Sequence, residues 1–416
     1  MQFIEVFNLV IAGLFFLCYS YQFFYMLVSL FGRMKKHSEP VMHRYAVLIA
    51  ARNEEKVLGN LLESLKGQLY PRELTDIYVV ADNCTDKTAW IARAGGATVF
   101  ERSNAEQVGK GYALQYLLER VKEHAPEPYD AYLVFDADNV VDPHFITEIN
   151  KVYSDGFEIV TGYRNSKNYG DNWISAGNAL CYLRECRCLY QPRQILGVSS
   201  IVTGTGFLFS DRILQACGGW HFFLLTEDCE FTMDNVVRGE KIGYAKDAVF
   251  YDEQPTSFRV SWKQRLRWCR GYLQVMRRYG GKLLRGVFHG NFSCYDLTMS
   301  ILPAAVLSSV SLTVNIIAMA VNVFTGGPLP TLLLSLGVLL LQFFASLFVI
   351  GAFTTIVEWK RIHCPAWKKL WYTLTFPVFM FTYLPVCIAS FFIKVKWQPI
   401  VHTQNKDIKQ IRDGEE

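Results

Sequence analysis

Three stretches of this chain carry no charged side chain: Phe7 to Phe31, Leu297 to Phe324 and Pro328 to Val357. Each exceeds the roughly 20 residues a helix needs to cross the hydrocarbon of a bilayer. The hydrophobic content of 51% is therefore concentrated, and the chain is expected to be membrane-embedded. A fourth stretch, Leu370 to Ile393, is also uncharged but holds Pro377 and Pro385. A cleaved signal peptide is disfavoured for the first, because its flank has Glu5 and no Lys or Arg and its apolar run is too long. Arg33, Lys35 and Lys36 follow it, so the positive-inside bias puts the next segment in the cytoplasm. About 265 residues then precede the second span, enough for a full α/β domain.

In that interval, short β-rich runs alternate with helical patterns. Tyr45 to Ala50, Ile77 to Ala81, Ala97 to Glu101 and Tyr132 to Asp136 read as strands, and Asn53 to Leu65, Asp86 to Ala94 and Gly111 to Glu123 as the helices between. The alternation implies right-handed crossovers and a mostly parallel sheet, with ligands at the carboxyl ends of the strands. Three of those ends are polar: Ala51-Arg52-Asn53-Glu54-Glu55, Asp82-Asn83 and Asp136-Ala137-Asp138-Asn139. One Asp at such a place is more often a helix cap than a ligand, but three acidic ends on one rim are harder to dismiss.

Asp136-x-Asp138 follows the apolar run Tyr132 to Phe135, so strand alternation sets both carboxylates at the tip, able to share a site. A hard divalent ion held by one or two carboxylates and two phosphates is the usual means of binding a nucleotide diphosphate. Leu224 to Asp228 again places acids after an apolar stretch, and Ser261 to Trp268 opens a basic, aromatic, helix-compatible segment. Taken in order, Asp82, Asp136-x-Asp138, Thr226-Glu227-Asp228 and Gln264-x-x-Arg267-Trp268 resemble the processive family 2 glycosyltransferases, namely the cellulose, hyaluronan, chitin and poly-N-acetylglucosamine synthases. The resemblance covers residues 44–285 by motif and the flanking spans by arrangement.

That resemblance implies an α/β, Rossmann-like nucleotide-sugar-binding domain of the GT-A type, with transmembrane and interfacial helices, and an inverting mechanism. By it, Asp82 would contact the uridine, Asp138 an Mg²⁺ or Mn²⁺ ion, and Asp136 would support the nucleotide. Asp228 would be the general base, Gln264 and Arg267 would brace the diphosphate, and Trp268 would stack on the acceptor sugar. Lys110, in Gly109-Lys110-Gly111, matches a lysine close to the nucleotide in relatives, the alternative being a solvated lysine at a helix-start turn. Glu227 is placed with the acceptor-binding set, in support of the base, or is simply solvated. Thr205, in Thr203-Gly204-Thr205-Gly206, falls where relatives place an acceptor-site loop. Its Gly-Thr is nearer to cellulose synthases than to the Gly-Pro of hyaluronan and chitin synthases, which tilts the donor toward UDP-glucose.

Those residue types suit the chemistry. Displacement at an anomeric carbon needs a base for the acceptor hydroxyl and cations for the departing diphosphate. An Arg fork can donate two hydrogen bonds at once to phosphate oxygens, and the Trp face covers the C–H surface of a pyranose. Without the other motifs, Trp268 would read as helix packing.

The expected organisation is a transmembrane helix over 1–32, a cytoplasmic glycosyltransferase domain over 33–256, interfacial helices over 257–292, and a transmembrane region with a short tail over 293–416. Phe258 to Arg285 mixes Arg265, Arg267, Arg270, Arg277, Arg278 and Lys282 with Trp262, Trp268, Tyr272, Leu273 and Met276, as an interfacial helix does. Val357 to Arg361 and Trp367 to Lys369 form a second basic, aromatic stretch at the same face, or a solvated loop. The uncharged loop Thr325 to Pro330 is expected outside. A single crossing by Leu370 to Ile393 would put Lys394, Lys396 and the tail outside, against the positive-inside rule, whereas a proline-broken hairpin would return the tail to the cytoplasm.

The eleven cysteines lack the spacing of a disulfide framework, which suits a reducing cytosol, and Cys186-x-Cys188 has no second pair for zinc. The net charge of +4 is small, its basic residues gather near span ends, and nothing suggests nucleic acid.

The expectation is a plasma-membrane enzyme polymerising a β-linked polysaccharide from a UDP-sugar, UDP-glucose favoured, with the growing chain as acceptor and the bilayer as partner. UDP-N-acetylglucosamine as donor and a non-processive transfer to a lipid-linked acceptor are the alternatives, the latter normally lacking the Gln-x-x-Arg-Trp helix. A transporter would want ionisable residues in its spans, and the first three have none.

Overall fold

The computed structural model describes residues 2–301, 303–325, 329–400 and 402–412. Leu302 of the second span, residues 326–328 of the loop expected outside, and Val401 of the tail lie outside the described residues.

The strands are β1 (Tyr45–Ala51), β2 (Thr75–Asp82), β3 (Thr98–Arg102), β4 (Ala131–Asp136), β5 (Val140–Val141), β6 (Ile159–Ser166), β7 (Phe207–Ser210) and β8 (Ile242–Asp252). They form one sheet in the order β3-β2-β1-β4-β7-β6-β8-β5. The first helices are α1 (Gln2–Phe31), α2 (Leu58–Lys66), α3 (Thr88–Ala94), α4 (Lys110–His124), α5 (Phe145–Ser154) and α6 (Trp173–Arg184). Next come α7 (Gln191–Leu196), α8 (Asp211–Ala216), α9 (Glu227–Val237), α10 (Phe258–Phe288) and α11 (Phe292–Ile301). The last are α12 (Pro303–Phe324), α13 (Leu329–Val357), α14 (Ala366–Phe381), α15 (Tyr383–Phe392) and α16 (Ile408–Arg412).

The central strands are continuous apolar runs because both sheet faces are covered. Leu114, Leu117 and Leu118 of α4 pack with Val80, Val134 and Phe231 on one face, and Leu58, Leu61, Ile146 and Ile149 of α2 and α5 with Val47, Ile49 and Leu133 on the other. Parallel pairing of β1 with β2 and β4 brings Ala51 level with Ala81 and Ala50 with Asp136, so the three polar strand tips share one rim.

Two expectations change here. The sheet is mixed, since β7 runs antiparallel to both β4 and β6, while β6 and β8 pair in parallel. The helix expected from Asn53 begins instead at Leu58, because Asn53 sits in the left-handed region at φ 57 and the following turn swings away from the strand.

Among the described residues, four stretches are long and apolar enough to cross a membrane: Val6–Phe31, Phe292–Phe324, Leu340–Val357 and Ala366–Phe392. Asp296 of the second stretch, in a completely buried ion pair with Arg193 of α7, ties the first stretch to the second. Asp296 accepts two 2.8 Å hydrogen bonds from Arg193 and one each, also 2.8 Å, from the Tyr21 and Tyr25 hydroxyls of α1. Removing one partner of such a pair leaves a buried charge at a cost of about 3–5 kcal/mol.

Arg265, expected among the basic residues of the interfacial helix, is instead fully buried. Its guanidinium lies 4.7 Å from the ring centres of both Phe379 and Tyr383 and donates to Thr382 Oγ1 at 2.6 Å, because α10 turns this face to α14 and α15.

The proline-bearing segment breaks at Thr382 into α14 and α15. With 16 and 10 residues they measure about 24 and 15 Å. The chain after α15 returns to the catalytic domain: Trp397 lies over the Arg52 guanidinium at 5.4 Å, and Arg412 pairs with Asp142. The tail therefore packs against the sheet domain.

Candidate active site

At the rim, β1 and β2 are each followed by an Asn held in the left-handed conformation, Asn53 at φ 57 and Asn83 at φ 52. Asn tolerates that region better than most residues because its side chain bonds the local backbone. Here the side chains bond neighbouring loops instead: Asn53 Oδ1 accepts from the Thr85 amide at 2.8 Å, and Asn83 Oδ1 from the Asn104 amide at 2.9 Å. Asp82, the last residue of β2, is buried with one oxygen 2.6 Å from Arg102. Arg102 is the cation that defines this corner.

The β4 tip is built more tightly. Thr205 is fully buried, its hydroxyl accepting from the Asp136 amide at 2.9 Å and donating to Asn139. The structure thus sets Thr205 beneath the Asp136–Asn139 turn rather than on the cleft surface where an acceptor would lie. Asp136 pairs with Lys110, which also donates to the Gly204 carbonyl at 2.6 Å. Lys110 is thus partly buried and held by two oxygen partners, not a solvated lysine at a turn. Burial alone would lower its pKa, but Asp136 and Glu227 hold it above the ordinary lysine value.

Asp138 is buried, and the amide groups nearest it stand off, Glu253 N at 3.3 Å and Asn139 Nδ2 at 3.4 Å. Around it gather Glu54, Asp252 and Glu253, balanced by Lys167 and His402. The Lys167 ammonium is buried without a hydrogen-bond partner, and burial pulls its pKa down. Asp136 and Asp138 offer hard oxygen donors with lone pairs free of short hydrogen bonds at Asp138, the donor type that Mg²⁺ or Mn²⁺ takes alongside phosphates. The residues present fit such an ion.

Asp228, in the first turn of α9, faces Gly204: a Cβ on that glycine would lie 3.5 Å from Asp228 Oδ2. Burial raises its pKa, while Lys110 and Arg267 pull it back. Its neighbour Glu227 is buried, not solvated, and burial together with the Asp228 charge pushes it up to about 7. Helix α10 lies against this turn. Arg267 donates to the Leu225 carbonyl at 3.1 Å, Gln274 accepts from the Leu225 amide at 3.3 Å, and Gln264 Oε1 is buried without a partner. Trp268 is half-buried, with Tyr182 edge-on at 6.4 Å. The Arg164 guanidinium in turn covers Tyr182 at 3.9 Å. The structure therefore brings Lys110, Asp136, Glu227, Asp228 and Arg267 together in one cleft, with Trp268 next to Arg267 on α10 and Asp82 and Asp138 at the strand rim.

Several participants escaped the sequence reading. Arg164 holds Asp252 by two donors and reaches the Thr203 carbonyl at 3.0 Å. Asp252, pushed up to about 6 by burial, accepts from Asn139 at 2.9 Å and so fixes the turn that carries Asp138. His402 Nδ1 lies 3.0 and 3.1 Å from the Glu54 oxygens, and its Nε2 is 3.8 Å from Asp138. Burial would lower its pKa, but Asp138 and Glu54 carry it up to about 10. The Arg102 and Arg164 strands gave only the weak hint of a basic residue in an apolar run; His402 gave none.

Comparison with known proteins bears on this cleft. Residues 43–271 match the glycosyltransferase like family 2. A β-monoglucosyldiacylglycerol synthase of Nostoc sp. is 26% identical over 276 residues, 63% of this chain and 57% of its own length. A poly-β-1,6-N-acetyl-D-glucosamine synthase of Staphylococcus aureus is 24% identical over 237 residues, 56% of this chain and 55% of its own. The chain thus spans less than two thirds of the length of these relatives. The mannosyltransferase PcManGT of Pyrobaculum calidifontis, solved with GDP-Man and Mn²⁺, superposes with a TM-score of 0.59 at 15% identity, covering 94% of this chain and 99% of that one.

Proposed function

The chain belongs to glycosyltransferase family 2, whose members here include makers of glucolipids and of poly-N-acetylglucosamine, and it has the GT-A fold; on that premise we propose that it is an inverting, processive synthase of a β-linked polysaccharide. A UDP-sugar is its donor, UDP-glucose favoured over UDP-N-acetylglucosamine, and the plasma membrane its site, with the cleft facing the cytoplasm.

The observation that carries the proposal is the docking of α10 on α9. Gly271 meets Thr226 so closely that a Cβ would lie 2.5 Å from its side chain, and Arg267, one turn before Gly271 on α10, acts on the Asp228 carboxyl, with Trp268 next to it in sequence. A base, a diphosphate-bracing cation and an aromatic face for the acceptor then share one cleft. In this reading Asp228 takes the proton from the acceptor hydroxyl as that oxygen attacks the anomeric carbon and the bond to the diphosphate breaks. Glu227 supports the base, Arg267 and Gln264 hold the leaving diphosphate, Asp82 meets the uracil side of the nucleotide, and Lys110 with Asp136 the phosphate side. Asp138 with Asp136 would hold Mg²⁺ or Mn²⁺, which supplies charge to the leaving group. Trp268 keeps the new chain end in place for the next addition.

The Nostoc relative supports a second reading, transfer of one sugar to a membrane lipid. Membranes containing the protein, given radiolabelled UDP-glucose or UDP-N-acetylglucosamine in turn, separate the two. Polymer that remains after chloroform extraction and shortens in Trp268→Ala supports processive synthesis. A chloroform-soluble single-sugar product from both proteins rejects it.

A further inference from the structure

On the far side of β6 from the cleft lies a cavity of about 400 Å³. Consecutive residues of β6 separate the two: Arg164 faces Asp252 and the cleft, whereas Tyr163 lines the cavity. Four basic side chains border it, Arg187, Lys246, Lys360 and Arg361, from three different parts of the chain. The carboxylate they surround is Glu358, buried and accepting from the Tyr163 hydroxyl at 2.6 Å. Its ion pairs are long, 3.7 Å to Arg187 and 3.8 Å to Arg361. Asp247 stands outside, 3.4 Å from Arg361 and 3.8 Å from Lys246. Four cations against two carboxylates leave a surplus of two positive charges at the cavity.

Its other wall is apolar. Ile356 and Val357 line it, and they end the stretch Leu340–Val357 that is long and apolar enough to span a membrane. Ile356 is 71% exposed, and Leu341 and Val349 of the same helix are open too, so an acyl chain can lie along α13 up to the cavity. Trp359, two residues beyond Val357, has the Lys369 ammonium 4.8 Å from its ring, the aromatic and basic pairing of a headgroup layer. The cavity thus joins an apolar helix surface to a cationic recess, as a phosphate joins acyl chains in a phospholipid. A zwitterionic headgroup brings its own cation and leaves the surplus charge unmet.

We infer that this cavity binds the phosphate of one anionic phospholipid, held by Arg187, Lys246, Lys360 and Arg361. Each basic residue near a headgroup contributes roughly 1 kcal/mol, so neutralising two of them weakens binding about 30-fold. The test is native mass spectrometry of the purified full chain released from detergent carrying phosphatidylglycerol, phosphatidylcholine or inorganic phosphate, with the parent and Lys246→Gln/Lys360→Gln. Both lysines are partly or fully exposed, and an unchanged thermal midpoint in lipid-free detergent certifies the variant's fold. The expected result is one phosphatidylglycerol retained by the parent, about 30-fold weaker retention by the variant, no retention of phosphatidylcholine, and no displacement by excess phosphate. Equal retention by the variant, equal retention of phosphatidylcholine, or displacement by free phosphate each overturns the inference, the last by assigning the recess to a soluble anion.

Discussion

Replacing Gly271 with Ala should damage catalysis far more than folding. The new Cβ would lie 2.5 Å from both Cγ2 and Oγ1 of Thr226 and 3.0 Å from its Cβ. Carbon atoms rest about 3.5–4.0 Å apart, so relief needs a movement on the order of 1 Å. Thr226 is β-branched and buried, with little rotamer freedom to yield, and it immediately precedes Glu227 and Asp228. The movement therefore opens the spacing of α9 and α10. Overpacking of this kind costs roughly 1–3 kcal/mol of stability. A misplacement of about 1 Å between reacting groups costs on the order of 10²-fold in rate. Gly271→Ala is accordingly expected to insert into membranes normally and to lose about 100-fold in kcat, measured as UDP released from donor. The Thr226 hydroxyl is buried without a hydrogen-bond partner, so Thr226→Ala forfeits no bond while removing the two closest atoms. The double variant should recover at least about tenfold over Gly271→Ala, a coupling of about 1.4 kcal/mol. A single variant above half the parent rate, or a double variant no faster than the single, refutes the argument.

Asp228→Asn should lower transfer by roughly 10²–10⁴-fold while UDP binding persists, and retention of a tenth of the activity would remove Asp228 as base. Asp138→Asn should weaken Mn²⁺-dependent UDP binding, measured by calorimetry with and without EDTA; binding indifferent to both would refute the ion's place there. Burial raises the Asp228 pKa and Lys110 lowers it, so Lys110→Met should make the carboxylate harder to ionise. Since the base works ionised, the acidic limb of kcat/KM should move to higher pH, and a limb that stays or falls contradicts the assignment.

Much of the cleft could be read from residues in line. Tyr45 to Ala51, Thr75 to Asp82 and Ala131 to Asp136 are strands because short apolar, β-rich runs end in turn residues, and parallel pairing then makes their tips neighbours. The acidic strand tips and the helical spacing of Gln264, Arg267 and Trp268 were legible because each motif is local, whereas the roles expected of them came from the resemblance to family 2 glycosyltransferases. Such patterns are set by local periodicity, which needs no knowledge of distant partners.

What tertiary structure decided lies in contacts across long sequence separations. Arg265 reads in the chain as one of the cations of an interfacial helix, yet it is wrapped by rings of α14 and α15, and Arg193 is paired to Asp296 from α11. Thr205 looks like part of a loop open to ligand, but the antiparallel β7 pulls it under the Asp136 turn. The tail looks like a terminus beyond a last span, but the break at Thr382 returns it until His402 meets Glu54, 348 residues earlier. Periodicity tells a segment which of its faces is apolar. Which segment covers that face, and therefore which charges are buried beside Asp138 and Asp228, follows only when the whole chain has closed.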